Sequence, residues 1–331
     1  MRVNIFPFQT SMISEAAGLL AQRHAIDRNR LSALPGEFDN PDEAYKPLIA
    51  LWERQGTSGA AAVEEGKLAG YLLGEKVVDP LWGRSTWIRP AGCALAPGSD
   101  PEIVRDLYAE LGKDWVRGGY FFHFAVMPST NPAILQQWYS LSFGIEQVHA
   151  LLELVNLSSA DVSIPAGVEI RQAGPGDEDI LAELSDIIWR HLVKAPVWGI
   201  HLPEAGNREG WAALATDPTA TVFLATYQGE PAGTVGFWAA EPGTDNLWIP
   251  QNCASLSVAG TRIGKRGKGI GTALARFGLA AMYESGYRTC ETDWRSTSLL
   301  ASRFWPRFGF TPAVYRLVRR IDSRIAWANW E

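Results

Sequence analysis

The chain has 331 residues, long enough for two domains that each bury a core of their own. Apolar residues make up 47% and charged ones 20%, which excludes a disordered chain, and a net charge of −6 argues against a domain-wide basic face for nucleic acid. No run nears 18 apolar residues and the N-terminus turns polar early, so a cytoplasmic protein that neither spans a membrane nor is secreted is expected.

In chain order, the first signal is a hairpin: a small apolar run at Ala60 to Val63, a turn at Gly66, and a second run beginning near Gly70. Pro97 to Glu102 then reads as an acidic loop, and Asn131, Trp138 and Phe143 mark a later helix and its end. Val148 to Val155 has the character of a strand, and the polar stretch at residues 157–167 reads as a linker. Beyond it a short strand, Val168 to Arg171, leads to the acidic helix start Asp177-Glu178-Asp179 and an apolar periodicity running to Leu192. A loop rich in Trp, His and Pro covers Pro196 to Pro203, followed by a helix at Asn207 to Ala215. Strands are expected at Thr221 to Tyr227, Ala232 to Trp238 and Ala254 to Thr261. A glycine-rich loop opens a helix with Ile270, Leu274, Phe277 and Ala281 on one face, ended at Ser285-Gly286. A strand at Tyr287 to Trp294, a helix at Ser298 to Phe308 and a strand at Val314 to Ile321 complete the unit.

Two copies of one unit fit this order. The Gly66 to Gly70 hairpin matches Gly229 to Gly233 at a step of 163, and Asn131, Trp138 and Phe143 match Ser298, Trp305 and Phe310 at a step of 167. The expected division is 1–156, a linker at 157–167, and 168–331, each copy a mixed α/β sheet flanked by helices.

The glycine-rich loop, Arg262-Ile263-Gly264-Lys265-Arg266-Gly267-Lys268-Gly269-Ile270-Gly271-Thr272, is neither a P-loop nor a dinucleotide fingerprint, because Thr272 replaces the third glycine. It is still suited to an anion, since glycines let backbone N–H groups approach a ligand at a helix N-terminus. A solvated basic loop is the competing reading. Charge partition favours the site: residues 161–245 carry a net −9 and residues 246–331 a net +8, an arrangement for a cationic amine and a polyphosphate.

At Arg266-Gly267-Lys268-Gly269-Ile270-Gly271 the sequence resembles the acyl-CoA pyrophosphate loop of the GNAT superfamily of N-acetyltransferases. Ser298, Ala301, Trp305 and Gly309-Phe310 resemble the second signature of that family, and Thr292 to Arg295 with Ser302 to Trp305 resembles a subgroup of two-domain bacterial members. The first copy resembles the same fold in outline, but its acidic loop lacks the paired glycines, so it is read as a degenerate copy.

The resemblance implies acetyl-CoA as co-substrate, with Arg266, Gly267, Lys268, Gly269, Ile270, Gly271 and Thr272 on the pyrophosphate. The pantetheine arm would lie along the strand ending at Thr261, Arg262 and Ile263, with Ser298 near the cofactor. It implies direct attack of an amine on the thioester and no metal. Trp305 stands where the family has its tyrosine acid, and an indole cannot serve as one; Tyr315 is a distant alternative. Glu241, Asp245, Glu291 and Asp293 are carboxylates placed to reach a cleft and His201 lies in the Trp-rich loop; of these, Glu241, Asp293 and His201 are the candidates for the base. An exposed Glu241, a helix-capping Asp293 and a merely exposed His201 are the competing readings. Cys253, on an apolar strand, reads as an inert core thiol, and Cys93 and Cys290 form no disulfide framework. Trp189, Trp198, Trp211, Trp238 and Trp248 either wall a pocket or fill cores. The expected function is N-acetylation of a small-molecule or peptide amine, with a non-catalytic acyl-CoA-binding or regulatory protein as the alternative. No nucleic acid or membrane is expected as partner, and a homodimer is left open.

Overall fold

The computed structural model describes residues 3–199 and 204–328. Its elements are β1 (Asn4–Pro7), α1 (Ile13–Arg30), α2 (Pro41–Trp52), β2 (Thr57–Glu64), β3 (Lys67–Asp79), β4 (Gly83–Ile88), β5 (Cys93–Leu95), α3 (Ile103–Arg117), β6 (Phe122–Pro128), α4 (Pro132–Ser140) and β7 (Gly144–Glu153). There follow β8 (Val168–Gln172), α5 (Glu178–Leu184), α6 (Asp186–Leu192), α7 (Glu204–Ala213), β9 (Thr221–Tyr227), β10 (Glu230–Ala239), β11 (Cys253–Thr261), α8 (Ile270–Glu284), β12 (Thr289–Arg295), α9 (Ala301–Phe304), β13 (Thr311–Arg320) and α10 (Ile325–Ala328).

The chain folds as two compact units that are not consecutive halves. The first comprises Met1–His149, Pro242–Gln251 and Pro312–Glu331, and the second Ala150–Glu241 and Asn252–Thr311. The last long strand, β13, therefore completes the first unit, where it pairs antiparallel with β6 from Val314↔Pro128 to Arg320↔Phe122. The end of β7 belongs to the second unit, where the Leu154 N–H bonds the Arg288 carbonyl at 2.8 Å.

The repeat is visible in the elements themselves. Helices α3 and α8 are both 15 residues long and start at Ile103 and Ile270. Strands β6 and β12 are both seven residues long, from Phe122 and Thr289, and β7 and β13 both ten, from Gly144 and Thr311. All three steps are 167, whereas the hairpin strands β3 and β10 start at Lys67 and Glu230, a step of 163. The difference arises between hairpin and helix: the second unit has the single strand β11, the first has β4, a 3-10 turn at Pro90–Gly92, and β5. Strand pairing agrees. β1-β2-β3-β4 are antiparallel neighbours and β4-β6 parallel, just as β8-β9-β10-β11 are antiparallel and β11-β12 parallel.

Side-chain alternation explains the layers. In β2, Ala61 faces a core built with Leu20, Leu48 and Leu51 of α1 and α2. Ala60 and Ala62 face the opposite core, built with Leu107, Trp115 and Trp138 of α3 and α4. In the second unit Leu181, Leu184, Ile187 and Trp211 pack on Val222 and Leu224. Phe277 of α8 meets Phe223 on the other face, with ring centroids 5.4 Å apart. The single helix expected up to Leu192 is two, because buried Ser185 turns its hydroxyl back onto the Ala182 carbonyl at 2.6 Å between α5 and α6. The helix expected at Ser298 to Phe308 shrinks to α9 and a 3-10 turn at Trp305–Phe308, with Pro306 inside it. The linker is anchored, since the Ser159 backbone and hydroxyl bond the Glu284 carboxylate at 2.8 to 3.0 Å.

One buried network sets an acid limit on the first unit. His123 is fully buried: its Nε2 lies 3.0 Å from the Tyr120 carbonyl, which only accepts, so Nε2 carries the proton and Nδ1 accepts from the Tyr108 hydroxyl at 2.7 Å. Burial pulls its pKa from 6.5 down to about 4. Between those values the unfolded chain binds the extra proton, so stability is lost as pH falls from about 6.5 to about 4, by about 3 kcal/mol. The expected outcome is a melting temperature that falls steadily over this range. His123→Phe should flatten the fall, and an unchanged slope in the variant would refute the assignment.

Candidate functional site

The site is built where two parallel strands separate. β11 and β12 are paired from Cys253↔Thr289 to Leu256↔Thr292, yet β11 continues to Thr261 and β12 to Arg295. The separation has a cause in β11. Opposite β10, Phe237 pairs with Leu256 and Gly236 with Val258, so Ser257 is an extra residue, a β-bulge that bends the strand.

At the far end of β11 the chain enters the loop at 262–269 and then α8. Gly267 and Gly269 have φ of 78° and 79°, left-handed values that a side chain would strain, and Gly269 is the residue that opens α8. The N–H groups of Ile270, Gly271 and Thr272, in the first turn, have no partner within the helix, and the dipole makes that end positive. Around it, the Arg266 Nε donates to the Thr261 carbonyl at 3.1 Å. The Lys265 and Lys268 ammoniums lie 5.3 and 5.0 Å from the Tyr227 ring centroid. The Arg262 guanidinium is paired with Glu183 at 2.5 Å, and Ile263 is exposed. Gly271 sits close to Thr261, whose Oγ1 would be 3.0 Å from an added Cβ.

Beside the bulge lies a carboxyl group of unusual acidity. Glu291 accepts a hydrogen bond from the Ser255 hydroxyl, which lies 2.9 Å from that of Ser257. Burial raises the Glu291 pKa to about 7; the Ser255 bond works against the rise and the charge of Asp293 adds to it. Asp293 is exposed two residues further along β12. Glu241 is exposed just after β10, and His201 lies outside the described residues. Asp245 belongs to the first unit, where both its oxygens take the Arg54 guanidinium at 2.9 Å. Tyr315, on β13, also belongs to the first unit, opposite Met127.

Ser298 is buried, and its hydroxyl accepts from the Ala301 N–H at 3.3 Å and meets the Nε2 of His191 at 3.0 Å. Burial, then Arg266 and Lys194, pull the His191 pKa below its usual value. The sequence places His191 only in a helical periodicity and offers no sign of this pairing. Trp305 is buried in an aromatic group with Phe304, Phe308 and Phe310 at centroid distances of 4.9 to 6.1 Å. The Cys253 thiol is pushed up to about 12 by burial, which leaves it unreactive. Of the five tryptophans, Trp211 and Trp248 are buried and Trp198 is exposed.

The equivalent place in the first unit is closed. β4 pairs with β6 from Ser85↔Phe122 to Ile88↔Ala125 and then ends, and Arg23 of α1 reaches into the following turn to donate to the carbonyls of Pro90, at 2.8 Å, and Cys93. Before α3 the Asp100 carboxylate takes the Glu102 N–H at 3.0 Å, so an acid already occupies that helix start. Among the described residues no helix is long and apolar enough to cross a membrane, and no group of three or more His, Cys, Asp or Glu could hold a metal.

Residues 181–310 match the model of the acetyltransferase (GNAT) family. No curated protein matches the chain. Among solved structures, a GCN5-related N-acetyltransferase from Sphaerobacter thermophilus is 17% identical with a TM-score of 0.57, over 96% of this chain and 95% of that one. A GCN5-related glucosamine N-acetyltransferase region of a fungal multi-domain β-N-acetylglucosaminidase is 13% identical with a TM-score of 0.51, over 96% of this chain and 38% of that one. At such identities the likeness is one of fold, a mixed α/β sheet flanked by helices. Residues 181–310 are therefore the part of the chain that is similar to the acetyltransferase (GNAT) family.

Proposed function

We propose that the chain is a cytoplasmic acetyl-CoA-dependent N-acetyltransferase acting on a primary amine of a small molecule or peptide, with the chemistry in the second unit. The observation that carries this reading is one run of chain: a basic, glycine-bearing helix start suited to a pyrophosphate follows a strand whose bulge adjoins a carboxyl group with a pKa of about 7. Backbone N–H groups of Gly267 to Thr272 would hold the pyrophosphate, with Arg266 and Lys268 adding charge. Thr261, Arg262, Ile263 and Ser298 would lie along the rest of the donor. Glu291, with Asp293 beside it, would take the proton as the amine nitrogen bonds to the thioester carbon and the carbon–sulfur bond breaks. The CoA thiolate leaves and takes its proton from water.

Trp305, buried among phenylalanines where a donor hydroxyl would be useful, favours a second reading, a non-catalytic acyl-CoA-binding protein. Release of free thiol from acetyl-CoA over polyamines, aminoglycosides, amino acids and peptide N-termini separates the two. Amine-dependent release supports the transferase, and binding of CoA without release on any amine supports the second reading.

Gly269→Glu is expected to weaken CoA binding about 100-fold or more, because it sets a carboxylate against the pyrophosphate at the helix start. The φ of 79° and a Cβ 3.1 Å from Pro165 cost the fold about 1–2 kcal/mol in any substitution. Gly269→Ala carries that cost without the charge. Calorimetric titration with CoA should show the Glu variant far weaker than the Ala variant, and equal weakening in both would remove the anion site from the reading.

A further inference from the structure

Glu291, half-buried on β12, must lose each proton it accepts before it can act again. The structure offers a route. The hydroxyl of Ser255, on β11, donates to the Glu291 carboxylate on β12. The hydroxyl of Ser257 lies 2.9 Å from that of Ser255, and Ser257 is exposed to solvent. Successive same-face residues of a regular strand lie about 6.6 Å apart at ~3.3 Å rise per residue, too far for two serine hydroxyls to meet without bending. Here the bulge at Ser257 supplies the bend, so the irregularity that parts the strands also joins the two hydroxyls.

We infer that Glu291, Ser255 and Ser257 form a proton relay that carries the proton taken from the substrate amine to bulk water. This rests on the transferase reading. In the resting state Ser255 donates to Glu291 and Ser257 donates to Ser255. Once Glu291 is protonated, its O–H donates to the Ser255 oxygen while the Ser255 proton passes to Ser257 and the Ser257 proton passes to water. Three O–H bonds break and three form, no charge is left on either serine, and the carboxylate is restored. The charged and titratable groups facing Glu291 are Asp293 on its own strand and the neutral thiols of Cys253 and Cys290. Neither thiol lies on the route, since both are buried and hold their protons.

The test compares wild type with Ser255→Ala, Ser257→Ala and Ser257→Thr in amine-dependent thiol release at low buffer concentration, with imidazole then added. Ser257→Ala is expected to lower kcat about tenfold or more with KM for acetyl-CoA unchanged, to recover with imidazole, and to be matched by a near-normal Ser257→Thr, which keeps the hydroxyl. Ser255→Ala should behave alike and also move the acid limb of the pH profile upward, because its bond holds the Glu291 pKa down. A purely structural role would lower activity without buffer rescue, and that result, or a Ser257→Ala variant within threefold of wild type, overturns the relay. If wild type releases no thiol with any amine, the transferase reading itself falls and the relay with it. Full activity in both alanine variants removes the relay alone.

Discussion

Glu291→Gln is expected to lower kcat by about 10²- to 10⁴-fold while leaving the Kd for CoA unchanged, because the amide keeps the shape and the Ser255 contact but accepts no proton. The pH dependence fixes the sign. A base with a pKa of about 7 must be ionised to act, so the rate rises with pH through about 7, falls tenfold per unit below it, and is level above it. The same group weakens the fold. Its pKa is raised from 4.5 to about 7 in the native state, so the native protein binds the extra proton between those values, and stability is lost as pH rises from 4.5 to 7. Glu291→Gln should therefore melt at a higher temperature than wild type at pH 8 and show no such gain at pH 4. Thermal unfolding at both pH values and steady-state kinetics check the pair of expectations. A variant that is inactive but no more stable at pH 8 would mean that Glu291 is not buried as a charged group.

The parts of the site that depend on local chemistry were legible in the sequence, and the parts that depend on strand pairing were not. The loop at 262–272 is legible because a left-handed backbone at a helix start needs glycine, visible in order along the chain, whereas the pairing of Arg262 with Glu183 across 79 residues is not. The repeat is legible for the same reason, through hairpin glycines and helix-end aromatics. The Glu291 and Ser255 contact is different, since it joins residues 36 apart and depends on the parallel register Ser255↔Glu291, which no local signal encodes. The bulge at Ser257 is likewise set by β10. His191 was hidden by its own helix, whose periodicity accounts for it without Ser298. Asp245 shows the reverse case. Its position after a hairpin made it a candidate base, yet the residues at 242–251 fold into the first unit, where Leu247 joins the α1 and α2 core and Arg54 takes the carboxylate. Membership of β13 in the first unit was equally out of reach, because two copies of one fold offer its last strand two equivalent partners and local pattern does not choose between them.

Trp115→Ala is expected to cost the first unit about 3–5 kcal/mol, near the top of the range for a single core substitution. The ring is fully buried, donates from Nε1 to the Ser58 hydroxyl at 3.1 Å, and meets Tyr108 and His123 edge-on at 6.1 and 5.3 Å. It fits because β3 has no side chain at Gly74: a Cβ there would lie 2.3 Å from the Trp115 ring. Gly74→Ala alone therefore forces ring or strand to move, at about 1–3 kcal/mol. The two residues share one space, so their effects cannot be independent. In the double variant the added methyl enters the cavity left by the indole, restores part of the lost packing and relieves the clash. The combined loss should then be smaller than the sum of the two single losses by about 1 kcal/mol or more. Chemical unfolding of the four proteins gives the coupling directly. Simple additivity would mean that α3 shifts away from β3 to admit the methyl group, and that the fit of Trp115 against Gly74 does not set the spacing between that helix and its sheet.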